Sequence, residues 1–85
     1  MRVVHSLVGY DPVTDRAKLR FDIDGRLLPA AKKIARVPAD DPEAAWSYPL
    51  SKPQVGKLAK LIGVTVETDN SEFFLEAFAD TSRVG

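Results

Sequence analysis

The stretch EFFLEAFAD, Glu72 to Asp80, decides how this chain is read. It holds three of the four phenylalanines and breaks its apolar run with a charge at Glu76. That pattern predicts a strand packed hard on one face and partly dressed on the other. Phe73, Leu75, Ala77 and Ala79 form the parity expected to face a core, and Phe74 and Phe78 point away with Glu76 between them. The remainder of the chain is expected to fold onto this closing strand.

Upstream lies the best-specified element, a helix with a start, a face and a stop. Ser51 is placed as N-cap with Gln54 at N3, a capping box, and Leu50 and Val55 take the positions of a hydrophobic staple. Val55, Leu58, Ala59 and Ile62 make the buried stripe, leaving Lys52, Lys57 and Lys60 outside. Gly63 stands where a left-handed C′ residue is wanted, and Val64 closes a Schellman motif. An earlier helix is expected over Pro29 to Val37, with Ala30, Ala31, Ile34 and Ala35 inward and Lys32, Lys33 and Arg36 outward. Val37-Pro38 ends it, because a residue before proline avoids the helical region. A rival reading turns the chain at Asp24-Gly25 into a hairpin, but the alanine-rich run favours the helix. Ala39 to Pro49 is the least regular part, with one short helical turn expected from Asp41 through Trp46.

The chain opens with RVVHSLVGY, Arg2 to Tyr10, a valine-rich strand apolar on both parities and therefore central or covered twice. Turn chemistry follows at Asp11 to Asp15. From Ala17 to Asp24 the alternation is clean: Ala17, Leu19, Phe21 and Ile23 face one way, and Lys18, Arg20, Asp22 and Asp24 the other. These two strands form a hairpin. The expected fold is α+β in two layers, ordered β-β-α-α-β, with a three-stranded, mainly antiparallel sheet and two helices on one face. The third strand is expected antiparallel to the second. The pattern leaves open whether it lies beside the first or the second. Residues 1–85 make one small domain, with 81–85 fraying at its end.

Composition removes whole classes of function. The chain is 45% hydrophobic and 28% charged, which is ordinary for a globular protein. It has no cysteine, so neither a disulfide framework nor a thiolate metal site is available. No apolar run approaches the roughly 18 residues of a membrane helix, and no signal-peptide core follows Met1-Arg2. A cytoplasmic location without membrane association is the expectation. Net charge is zero, yet unevenly spread. Arg26, Lys32, Lys33, Arg36, Lys52, Lys57 and Lys60 dominate the middle of the chain. Glu67, Asp69, Glu72, Glu76 and Asp80 dominate the end. Such asymmetry bears on partners rather than on fold.

Residues suited to catalysis or metal binding are few and scattered. His5 is the only histidine and has no companions at ligand spacing. Asp22-x-Asp24-Gly25 matches the start of a calcium loop whose later ligands are missing. Glu76, between two phenylalanines, is better paired with Lys18 or Arg20 of a neighbouring strand than reserved for catalysis. No catalytic residue, metal ligand or cofactor is assigned. Two surfaces remain. One is the sheet face carrying Phe74, Phe78 and Glu76, an aromatic centre with a polar rim, unless the segment with Trp46 and Tyr48 folds across it. The other is the basic outer side of the helices, Lys32, Lys33, Arg36, Lys57 and Lys60, as a phosphate-binding face.

The pattern YPLS-x-x-Q-x-x-x-L from Tyr48 to Leu58, followed by FFLEAFAD from Phe73 to Asp80, resembles a family of small uncharacterised bacterial domains. In that family a Tyr-Pro-Leu-Ser/Thr helix start precedes a closing strand of the type Phe-Leu-Glu-x-Tyr/Phe-x-Asp. The resemblance implies a fold and no catalytic residue. By analogy of class it is similar to immunity proteins that neutralise bacterial toxins. The expectation is a non-enzymatic interaction protein, most concretely an immunity- or antitoxin-like inhibitor. It would bind its toxin through Phe74 and Phe78, with Glu67, Asp69, Glu72, Glu76 and Asp80 supplying negative charge. Nucleic-acid binding through the basic helices, or a homodimer, is the alternative.

Overall fold

The computed structural model describes residues 2–68 and 70–80, the side chains of Arg2 and Asp80 excepted. It contains β1 (Arg2–Tyr10), β2 (Ala17–Ile23), a 3-10 turn (Gly25–Leu27), α1 (Leu28–Ala35), β3 (Tyr48–Leu50), α2 (Lys52–Ile62) and β4 (Glu72–Asp80). The fold is α+β, as expected, but its sheet has four strands in the order β2-β1-β4-β3, every neighbouring pair antiparallel.

Two expectations are corrected here. The three-stranded sheet gains a fourth member because Tyr48–Leu50 extends along the edge of β4. Three residues hold no detectable periodicity, and Pro49 suits only an edge, where a missing N–H costs no ladder bond. The second correction concerns direction: the closing strand, whose neighbour the pattern leaves open, pairs with β1 along its whole length from Arg2↔Asp80 to Tyr10↔Glu72. Since β1 runs against both neighbours, β4 is parallel in direction to β2, not antiparallel to it. The doubly apolar β1 takes a central place in the sheet, as its composition requires.

Register sorts the faces. His5, Leu7 and Gly9 stand opposite Ile23, Phe21 and Leu19 on one side and Ala77, Leu75 and Phe73 on the other. This parity meets the helices: Leu7, Ile23, Phe73 and Leu75 cluster with Ala31 and Ala35 of α1 and Val55 and Leu58 of α2. Gly9 lets the Phe73 ring lie against the backbone, since a Cβ there would sit 2.8 Å from Phe73 Cε1.

Helix ends follow local chemistry. Ser51 accepts from Gln54 N–H while Gln54 Oε1 accepts from Ser51 N–H, completing the capping box. Gly63 is left-handed at φ 78°, and Val64 N–H donates to Ala59 O, the Schellman bond. Asp24 does not open a hairpin. Its carboxylate caps the 3-10 turn by accepting from Arg26 N–H. Helix α1 ends on Arg36, which takes the left-handed conformation usually given to glycine.

The short helical turn expected from Asp41 through Trp46 is a loop built on Asp41 instead. The buried Asp41 carboxylate accepts from Ala45 N–H, Trp46 N–H and the Tyr48 hydroxyl. Satisfying these groups from one side chain replaces the helical ladder. Among the described residues no helix is long and apolar enough to cross a membrane.

Candidate interaction face and basic groove

The opposite parity of the sheet carries no helix. Register aligns Asp22, Ser6 and Glu76 in one row and Arg20, Val8 and Phe74 in the next, with Val4 facing Phe78 beyond. Ser6 and Val8 are buried although they lie on this face. Arg20 lies against Ser6 from the same face, and the segment before β3 borders the face at Ser47. The earlier part of that segment folds onto the helix side, where His5 Nε2 lies 2.9 Å from Glu43 O and 3.2 Å from Ala44 O. Both neighbours are acceptors, so this nitrogen carries the proton and donates. Trp46 remains 71% exposed, and Tyr48 stands opposite Leu75 on the core parity. Phe74, Glu76 and Phe78 therefore stay at the surface, each half-buried.

Two connected clusters hold the face. In the first, Ser6 Oγ donates to Asp22 Oδ1 at 2.7 Å. Arg20 Nε donates to both Ser6 Oγ and Asp22 Oδ1, and its guanidinium lies over the Phe78 ring. The Ser6 hydroxyl, and after it Arg20, hold the Asp22 carboxyl below its usual range against the opposing effect of burial. In the second, the Tyr10 hydroxyl donates to Glu76 Oε2 at 2.6 Å and the Tyr10 ring meets Phe74 edge-on at 5.7 Å. The bond to Glu76 is the largest cause pushing the Tyr10 hydroxyl up to about 12. Beside it, Tyr10, Asp15, Ser47, Glu72, Phe74 and Glu76 line a hollow of about 250 Å³.

Glu76 is thus satisfied by Tyr10, not by Lys18 or Arg20 as expected. Arg20 is engaged by Ser6, Asp22 and the Phe78 ring, and Tyr10 of the adjoining β1 reaches Glu76. Lys18 donates to Ser71 Oγ instead. Of the remaining acidic candidates, Glu67 and Glu72 are exposed. Asp69 and the Asp80 side chain fall outside the described residues, as does the tail at 81–85. The sequence already places Arg20 and Asp22 on this face beside one parity of the first strand, but it does not single out Ser6 and Tyr10 as the members of that parity that bond across it. Tyr10 shares parity with Val8, but its meeting with Glu76 needs the β1–β4 pairing.

The basic candidates divide. Lys32 Nζ donates to Pro42 O and is occupied in holding the loop to α1. Lys33 and Arg36 of α1 and Lys57 of α2 line one groove of about 640 Å³ together with Ile34, Ser51, Pro53 and Gln54. Lys60 is exposed but not part of that lining. Among the described residues no cluster of histidine and carboxylate side chains could hold a metal ion.

A family model described as a domain of unknown function, DUF7683, matches residues 4–76. No curated protein and no solved structure matches the chain.

Proposed function

The chain belongs to the DUF7683 family of domains of unknown function, and we propose that it works as a non-enzymatic protein-binding module whose contact surface is the helix-free face of the sheet. The observation that carries this reading is the half-buried pair Phe74 and Phe78, set around Glu76 and left without a covering layer. Interfaces favour such aromatic centres, and Arg20 and Tyr10 add two of the residue types enriched at binding hot spots. Glu72, exposed on the outward parity opposite Tyr10, gives the rim a negative edge that would steer a basic partner, and the exposed Glu67 precedes it in the loop before β4. Asp69 and Asp80 extend that edge in sequence. An inhibitor of the immunity or antitoxin kind, occluding a basic active-site cleft of a bacterial toxin in the cytoplasm, is the concrete form of this proposal.

The test is affinity capture with the tagged chain, comparing wild type, Glu67→Lys/Glu72→Lys and Lys52→Glu/Lys60→Glu. The proposal expects one stoichiometric protein on the wild type, lost from the acidic-edge variant and kept by the helix-side variant, with circular dichroism unchanged throughout. The opposite ranking would overturn it. Light scattering that shows a stable dimer dissociated by the acidic-edge change would replace the foreign partner with a second copy.

A further inference from the structure

We propose that the groove between α1 and α2 is a binding site for a compact phosphate group, a phosphate or diphosphate borne by a small ligand. Its lining carries three cations, Lys33, Arg36 and Lys57, and no carboxylate. The chain has as many acidic as basic side chains, so neutralising partners were available to the fold. The ion pairs described, Arg20–Asp22 and Arg26–Asp24, lie elsewhere. Lys33, Arg36 and Lys57 make no side-chain hydrogen bond or ion pair among the described residues. Gathering like charges without compensation opposes folding, and an oxyanion in the groove removes that opposition.

Arg36 supplies an independent observation. It ends α1 at φ 59° and ψ 46°, a conformation in which a side chain is strained and glycine is the ordinary occupant. Glycine there would serve the helix end better. The side chain that the strain preserves is the planar guanidinium suited to two-pronged contact with phosphate. Gln54 fixes the spacing of the walls, since its Nε2 donates to Ile34 O at 2.9 Å while its Oε1 serves the α2 cap. With that cap closed and Pro53 in the first turn, the anion would be met by side chains rather than by backbone amides. A volume of about 640 Å³ lies within the usual size of small-molecule sites, about 300–1,000 Å³. The lining has no aromatic ring on which a base could stack, and Lys32 and Lys60 do not join it. A single concave site for a phosphorylated small molecule therefore fits better than a track for a nucleic-acid strand.

Amide NMR titration of the full chain tests this with sodium pyrophosphate, tripolyphosphate, sulfate and a single-stranded oligonucleotide as separate probes. Saturable shifts confined to residues 33–37 and 51–57, strongest with the polyphosphates, are expected. Lys33→Glu/Lys57→Glu should weaken pyrophosphate binding by about tenfold or more. Arg36→Gly should raise the melting temperature and yet weaken binding, a combination that a purely structural arginine cannot give. Unchanged affinity in Arg36→Gly, or shifts spread evenly over Lys32 and Lys60 as well, overturns the proposal. So does an oligonucleotide that binds more tightly than tripolyphosphate with a footprint along both helices.

Discussion

The guanidinium of Arg20 on β2 lies 4.0 Å above the ring centre of Phe78 on β4, although the two strands are not neighbours. It crosses β1 to reach that ring, passing over Ser6, whose hydroxyl it also binds at 3.1 Å. One side chain thereby joins three strands and helps to seal Ser6 on a face without helices. Losing it removes a cation–π contact and the charged hydrogen bonds to Ser6 and Asp22, and wets Ser6. Arg20→Ala is expected to cost about 1–2 kcal/mol in urea unfolding, and Arg20→Lys should recover only part of it because an ammonium cannot stack as a plane. A neutral result for Arg20→Ala would show that the contact adds nothing to stability.

Gly9 carries a steric prediction. A methyl group there would stand 2.8 Å from Phe73 Cε1 and 3.2 Å from Leu19 Cγ. Overpacking of this kind costs about 1–3 kcal/mol, which Gly9→Ala should show in chemical denaturation. Phe73→Leu in the same chain should make the two changes less than additive, because the clash and its partner are removed together.

The two tyrosines should titrate late. Tyr10 is pushed up to about 12 chiefly by its bond to Glu76. Tyr48 is pushed up to about 12 by desolvation and then by its bond to Asp41. Both raised values belong to the folded state, so their stabilising contribution is complete below the free phenol value of about 10 and is lost as pH rises through about 12. Phenolate absorbance should stay flat through pH 10 and rise only near unfolding. In Tyr10→Phe the remaining tyrosine should keep its late transition.

Acid should act through Asp41. Hydrogen bonds from Ala45 N–H, then from the Tyr48 hydroxyl, hold its carboxyl below the usual range. A depressed folded value means the contribution is full above about pH 5 and disappears as pH falls through that value. Asp41→Asn should lower stability at neutral pH and flatten the loss on acidification. An unchanged acid slope would assign acid sensitivity to Asp22 and the remaining carboxylates.

Much of this molecule was decided by short-range chemistry and so was legible in the order of residues. The α2 cap, its Schellman stop and the buried stripe of Val55, Leu58 and Ala59 depend on positions a turn or two apart. The split of EFFLEAFAD into a core parity and an outward parity depends only on strand alternation. Strand order does not, because β1 offers apolar side chains on both faces and can accept β2 and β4 alike. Only the completed sheet placed β1 between them, and with it Tyr10 beside Glu76 and Arg20 over Phe78. The three-residue β3 carries too little pattern to read, and the loop before it follows the valences of one buried carboxylate, Asp41. The basic residues likewise appeared as one outer helix face. Packing of α1 against α2 separated Lys33, Arg36 and Lys57, which share a groove, from Lys32, tied to Pro42, and Lys60, left outside. Each of these outcomes turns on partners distant in sequence, which only the packed chain brings within bonding distance.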